Sequence, residues 1–504
     1  MRFIAGKVET DMADDSDPRR ARGVWTRRGF VGALGVLAAA GRAGTSPESW
    51  RAGIAGRSVA RGEPDYPSWR QAMPWQMYTA PRYPDLIVRP ESAAAVRVVL
   101  REARSQGLRV AIKSGGHNVS ESFLRQGGVL LDLGELQGIE VDTAGGTAWV
   151  EPALWSHGLL RAVEPLGWAF PVAHCATVPM GGYLLGGGLG YNHDNWGTFA
   201  CHSILAAEIV LASGETVVAS PESHPDLYWA VRGAGTGFFG VVTRYHLRLY
   251  PAPGAVHESS YIFPLSRLEA ATDMLQDWAA ARPPDTELMM LLAHNPMAPP
   301  GTAPADRKMC IVRAVAYSES REQADRQLGA LGSHPVAATA TMKIEMQPTS
   351  LEKMQVESVD ADMGLGFGRY AVDTIWTDRL AEVMAAIGNH FMHANSVKTH
   401  FVVSPKMNRT LPGDAAFSRV GETFVGAYTM WDEADQDAAS FAWLAGASAR
   451  MRPLAVGQYI NEVDAFLDPA APSRCFSEAA WKRLARLRGH YDPRGLFFGW
   501  PGQA

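Results

Sequence analysis

His174-Cys175-Ala176-Thr177-Val178-Pro179-Met180-Gly181-Gly182 runs straight on into Tyr183-Leu184-Leu185-Gly186-Gly187-Gly188-Leu189-Gly190. A second such segment lies upstream, Lys113-Ser114-Gly115-Gly116-His117. Each sets one nucleophilic side chain, Cys175 or His117, beside backbone that glycine keeps free of side-chain bulk. Such backbone turns with positive φ and approaches a ligand closely, which residues with a Cβ do only at a cost. Successive unshielded N–H groups form a concave cradle for a diphosphate. The first segment follows a strand at 109–113, itself preceded by a strand at 83–90 and a helix at 91–100 with Ser92 as N-cap. Strand, helix and strand within about thirty residues read as a βαβ unit, with the glycines at the carboxyl end where α/β sheets bind ligands.

Further strands are expected at 128–132, 138–141 and 147–151, and a short helix near 159–164. Segments at 205–211, 216–218 and 241–250 complete a second α+β lobe. The Gly-rich turn from Arg232 to Gly240 reads as structural. After the prolines at 251–253 the pattern changes. Helical spacing at 265–282 and 318–331 alternates with strand-like runs at 289–292 and 398–404, without phosphate-binding glycines. That is the pattern of a separate α+β substrate cap. The tail carries Gln458-Tyr459-Ile460-Asn461-Glu462, a basic helix at 477–489, and Tyr491-Asp492-Pro493-Arg494-Gly495-Leu496-Phe497. The expected division is a signal peptide at 1–44, a cofactor domain at 70–252, a cap at 253–455, and a segment at 456–504 that returns to the cofactor domain.

Composition bounds the function. The chain has 504 residues, too many for one ordinary core. With 47% hydrophobic and 20% charged residues it is globular in type, and a net charge of −5 disfavours nucleic acid or an anionic membrane as the main partner. The four cysteines, Cys175, Cys201, Cys310 and Cys475, show neither disulfide-scaffold nor zinc spacing, so no metal site is expected. Asn192, His193 and Asp194 read as a polar turn. Near the N-terminus Thr26-Arg27-Arg28-Gly29-Phe30 precedes an apolar run too short to span a membrane. Twin arginine followed by Gly-Phe resembles a Tat signal, which implies export of an already folded protein to the periplasm or beyond through transient contact with the Tat machinery, without stable membrane insertion.

Taken together these motifs resemble the berberine-bridge-enzyme-like branch of the vanillyl-alcohol-oxidase/PCMH flavoprotein family. Lys113 to His117 match (R/K)-S-G-G-H, Cys175 to Gly190 match C-x-T-V-x-x-G-G-x-x-x-G-G-G-x-G, and Tyr491 to Phe497 match Y-D-P-x-x-x-F. The resemblance implies an α+β fold, a two-lobed PCMH-type FAD-binding domain with an α+β cap, and FAD as cofactor. It implies covalent attachment through His117 to the flavin 8α-methyl and through Cys175 to C6. Lys113, Ser114, Gly115, Gly116, Thr177, Val178, Gly181, Gly182, Gly186, Gly187, Gly188 and Asn461 would complete the cofactor site. Val178 stands where family members control oxygen access to the flavin, and a valine there resembles members that reoxidise with O2.

The departure from the family is at Glu462, where its Y-x-N-Y pattern has a second tyrosine, often the catalytic base. A carboxylate beside flavin in an apolar pocket has a raised pKa and accepts a proton as hydride leaves. The other reading of Glu462 is a salt bridge to a cation of the following helix. Tyr459 is expected to share the catalytic site and, with Asn461, to line the flavin's substrate face. Tyr370, Asp373 and Trp376 are further substrate-side candidates. The expected activity is a secreted FAD-dependent oxidase. It would act on an alcohol or C–H centre of a sugar, glycosylated natural product or aromatic metabolite, pass hydride to flavin N5 and reduce O2 to H2O2. The alternatives are a dehydrogenase with another acceptor and a flavin-containing cyclase or binding protein without net redox chemistry.

Overall fold

The computed structural model describes residues 51, 53–296, 298–299, 301–358, 368–405 and 411–501, and the expected signal peptide lies outside them. The first sheet comprises β1 (Gly56–Ala60), β2 (Leu86–Pro90), β3 (Val110–Lys113) and β4 (Val129–Asp132), in the order β1-β2-β4-β3. Both β2 and β3 run parallel to β4, as a βαβ unit requires. The crossover helix Ala93–Ser105 starts where the Ser92 side chain accepts the Ala95 N–H at 3.2 Å. It buries Val96, Val99, Leu100 and Ala103 at helical spacing. Every residue of β4 is buried, the mark of a strand covered on both faces. β1 and the helix Tyr66–Gln71 lie in a stretch whose composition suggests only a flexible lead-in. β1 forms because it pairs antiparallel with β2 at the sheet edge.

The second sheet is antiparallel: β5 (Ile139–Asp142), β6 (Thr147–Val150), β8 (Ile204–Leu211), β9 (Thr216–Ala219) and β10 (Gly240–Arg248), ordered β5-β6-β10-β8-β9. Between β6 and β8, β7 (Trp168–Ala169) pairs with β11 (Tyr250–Pro251). The Arg232 to Gly240 turn is structural. A Cβ at Gly235 or Gly237 would strike Ile460 or Trp500.

The third sheet is the largest: β12 (Ala255–Pro264), β13 (Thr286–His294), β14 (Lys308–Ser318), β15 (Met342–Thr349), β16 (Arg369–Thr377), β17 (His400–Pro405) and β18 (Thr423–Trp431), ordered β15-β12-β14-β13-β17-β18-β16. Alternation along its strands sends Leu288, Met290, Leu292, Val312, Phe401 and Val425 to one face. There they form a core with Met274, Leu275 and Trp278 of helix Leu268–Ala281, Val383 and Ile387 of helix Leu380–Met392, and Trp443 of helix Asp437–Met451. Met289, Leu291, Ile311 and Val402 occupy alternate positions and are only partly buried. They belong to the opposite face.

The tail returns to the first sheet. Helix Glu478–Tyr491 ends at Asp492, whose carboxylate accepts the N–H groups of Leu496 and Phe497 at 2.7 and 2.9 Å. That turn lets Val110 donate to the Leu496 carbonyl and accept from the Phe498 N–H, so the tail docks against β3.

Candidate active site

The two glycine segments meet. His117 Nε2 lies 2.8 Å from Thr177 Oγ1 and 3.9 Å from Cys175 Sγ, and Thr177 Oγ1 is 3.4 Å from the same sulfur. The sequence separates these nucleophiles by 58 residues, and the fold places one hydroxyl between them. Trp75 stacks on the His117 imidazole with centroids 4.3 Å apart. Burial holds that imidazole down at about 3, so it is neutral and keeps a nucleophilic nitrogen at physiological pH. Burial also pushes the Cys175 thiol above its usual range, with hydrogen bonds from Thr177 pulling the other way. None of the four cysteines forms a disulfide.

The residues present suit a flat cofactor reached by both side chains. The buried indole N–H of Trp75, next to His117, has no protein partner. A Cβ at Gly182 would meet nothing within 4 Å, whereas one at Gly115 would lie 2.5 Å from Pro179 and one at Gly181 2.9 Å from Pro152. Gly116 has φ +82° and its missing Cβ would fall 2.0 Å from the Met73 carbonyl oxygen, so no other residue fits that turn.

Several residues expected in the cofactor site also serve as internal supports. Lys113 is buried and bonds Asp132 at 2.9 Å and the Ser114 carbonyl at 3.1 Å, so its charge is committed to the protein rather than to a phosphate. Burial alone would raise the Asp132 pKa, but Lys113 and Arg89 outweigh it and hold the carboxyl low. Gly186, Gly187 and Gly188 approach protein atoms. Their Cβ positions would fall 1.9 Å from Asn461, 2.7 Å from Phe417 and 2.7 Å from Ala200 respectively. Val178 is partly buried and donates its N–H to the Cys175 carbonyl at 3.3 Å.

Tyr459 also departs from expectation. Its hydroxyl oxygen accepts from the N–H groups of Gly188 and Leu189 and from the Asn461 amide at 3.0 to 3.1 Å, so it has no capacity left as a base. Asn461 spends its other donor on the Tyr183 carbonyl and braces the glycine run instead of lining a substrate face. Asp373 faces Gln458 at 2.8 Å, and Trp376 is fully buried against Phe199 and Phe424. Neither reaches the site.

Glu462 sits on a short 3-10 turn, Ile460–Glu462, and accepts the Tyr428 hydroxyl at 2.7 Å. Burial pushes its carboxyl up to about 7, with the Tyr428 hydrogen bond lowering it and His174 doing so to a lesser extent. Among the described residues no lysine or arginine pairs with it, so it is not a salt-bridged surface acid. Tyr370 joins the group through Trp75, 5.4 Å away edge-on, and lies 6.1 Å from Tyr428. His400 stacks on Tyr428 at 5.0 Å. Trp75, Tyr428 and His400 were not visible as site residues in the sequence, since no motif surrounds them. Tyr428 was accessible only through its register opposite His400 on neighbouring strands. Among the described residues no His/Cys/Asp/Glu group would hold a metal, and no helix is long and apolar enough to cross a membrane.

Comparison with known proteins adds four findings. Residues 84–220 match an FAD binding domain family. An FAD-linked oxidoreductase of Penicillium janthinellum, janO, is 27% identical over 440 residues, which is 86% of this chain and 94% of the relative. An (R)-6-hydroxynicotine oxidase of Paenarthrobacter nicotinovorans is 37% identical over 170 residues, 34% of this chain and 37% of that protein. The fold is shared with BBE-like 1 of Physcomitrella patens at a TM-score of 0.77 and 18% identity, over 91% of this chain and all of that one.

Proposed function

We propose that this chain is a berberine-bridge-enzyme-like FAD-dependent oxidoreductase, and more narrowly an exported oxidase whose flavin is attached twice, through His117 and Cys175. The observation that carries this reading is the convergence of the two side chains to 3.9 Å, with Thr177 in contact with both. A neutral imidazole beside a thiol has both the nucleophile and the proton acceptor that attachment needs. Bound FAD supplies the hydride acceptor.

Glu462 takes the proton of a substrate hydroxyl or amine as hydride leaves the adjacent carbon. Its carboxyl at about 7 places it at the pH where a general base is most effective. Tyr428 fixes the orientation of that carboxylate, and Tyr370 and Trp75 wall the space toward His117. The partly buried row Ile311, Leu291 and Val402 on the same cap sheet favours an aromatic or otherwise apolar metabolite over a free sugar. The name of the 6-hydroxynicotine oxidase is in keeping with that preference. Dioxygen takes the electrons and leaves as hydrogen peroxide, which the small side chain of Val178 permits. Export rests on the twin-arginine segment at Arg27 and Arg28.

The experiment is steady-state turnover of aromatic secondary alcohols and amines with and without air, following peroxide and flavin absorbance. Anaerobic bleaching of the flavin and stoichiometric peroxide in air are expected. Bleaching without peroxide would make the protein a dehydrogenase, and no bleaching with any substrate would remove the redox reading.

A further inference from the structure

The loop that presents Cys175 is held from the cap, and by a group the reaction does not use. Glu287, near the start of β13, is buried and accepts three donors: His174 Nε2 at 2.6 Å, the Asn192 N–H at 3.0 Å and the Tyr317 hydroxyl at 2.8 Å. His174 and Asn192 flank the glycine run of the cofactor domain, while Tyr317 belongs to β14 of the cap. Burial by itself would raise the Glu287 pKa, but His174 and the Asn192 N–H bring it down to about 2, so it is ionised throughout the physiological range.

The two carbonyls just before the cysteine are held as well. The Tyr191 hydroxyl donates to the His174 carbonyl at 3.2 Å, and its ring meets the imidazole edge-on at 4.5 Å. The Gln355 amide, also from the cap region, donates to the Ala173 carbonyl. Holding residues 173 and 174 in this way sets the direction in which the Cα–Cβ bond of Cys175 leaves the chain. His117 takes its direct contacts from Trp75, Thr177 and Cys175, none of which is in the cap.

We propose that His174 and Glu287 are a positioning pair for Cys175, so that the second flavin link forms only when β13 of the cap is seated on this loop, while the His117 link forms without it. The proposal rests on the double attachment proposed above. A reacting atom misplaced by about 1 Å costs on the order of a hundredfold in rate. The link joins Cys175 Sγ to a flavin ring carbon, with loss of the thiol hydrogen and the hydrogen on that carbon. The two electrons and two protons pass to dioxygen, which leaves as hydrogen peroxide. The pair thereby ties completion of the cofactor site to completion of the fold.

The test expresses wild type, Glu287→Gln, His174→Ala and His174→Gln in the presence of FAD. Each is digested, and the flavin-bearing peptides of His117 and of Cys175 are quantified by mass spectrometry in the same sample. The His117 link reports on folding and FAD binding, so a merely structural defect moves both peptides together. Expected is a full His117 link in all four proteins, with the Cys175 link falling at least fivefold in Glu287→Gln and His174→Ala. His174→Gln keeps an N–H donor for Glu287 and should recover most of it. A complete Cys175 link in Glu287→Gln and His174→Ala would overturn the proposal, as would parallel loss of both links. A wild type lacking the Cys175–flavin peptide would instead sink the double attachment on which it rests.

Discussion

Replacing Tyr428 by Phe isolates how the Glu462 carboxyl, the proposed base, is tuned. In the native protein the Tyr428 hydroxyl donates to Glu462 at 2.7 Å, and that bond favours the ionised form. Burial works in the opposite direction and is the larger influence, leaving the carboxyl at about 7. Removing the donor leaves burial nearly unopposed. A hydrogen bond to a charged group is worth roughly 1.5–3 kcal/mol. At about 1.4 kcal/mol for each pH unit, the Glu462 pKa should rise by roughly one to two units. The base must be ionised to act, so the acidic limb of the kcat profile moves to higher pH. At pH 7 about half of the native base is active, against about a tenth or less in the variant, a loss of roughly fivefold or more that disappears at high pH. The assay is stopped-flow flavin reduction across pH 5 to 10. A uniform loss at all pH values, or a limb moved to lower pH, would refute the role given to Glu462.

Other substitutions test separate supports. Glu462→Gln should lower flavin reduction by about 10²–10⁴-fold, yet stabilise the protein at alkaline pH. Because burial raises the folded pKa of Glu462 above that of a free glutamate, its contribution to stability is complete at low pH and lost as pH rises through about 7. The gain at pH 8 is at most about 3 kcal/mol, and a variant less stable than wild type at pH 8 would contradict the buried-acid account. Gly186→Ala forces a Cβ to within 1.9 Å of Asn461 and should cost about 1–3 kcal/mol. Combining it with Asn461→Ala should cost less than the sum of the two single changes in urea denaturation, and strict additivity would show that the contact does not matter. Lys113→Met leaves buried Asp132 with Arg89 as its cation and should destabilise by on the order of 3 kcal/mol. Its folded fraction should bind FAD as wild type does, and a selective loss of FAD binding would restore Lys113 to the cofactor site.

The parts of the fold legible in the sequence were those with local causes. Ser92 caps its helix, the apolar spacing of residues 95–103 forms the crossover, and glycine-bounded runs mark β3, β4 and β6. β1 escaped notice because its five residues are stabilised by pairing with β2, thirty residues away, and not by their own pattern. His117 and Cys175, proposed as the flavin anchors, were equally easy to single out, since both lie inside contiguous motifs. The glycines after Leu185 have a second reason that the sequence does not show: a residue lacking Cβ is needed wherever anything comes close, and here Asn461, Phe417 and Ala200 come close. Tyr459 misled for a related reason: a buried phenol beside a glycine turn serves as well to hold two backbone N–H groups as to move a proton. Tyr428, His400 and Glu287 depend on which strands of the cap become neighbours and which face each presents. Their isolated one-letter context carries none of that information.

The central claim is that one flavin is joined to both His117 and Cys175. The most direct measurement is the intact mass of the denatured, desalted protein, followed by mapping of the proteolytic fragments that retain flavin. The account predicts a chain heavier by one FAD less two hydrogens for each link, with the His117 and Cys175 peptides joined through it. Recovery of the bare chain, with all of the FAD released into the supernatant, would contradict it.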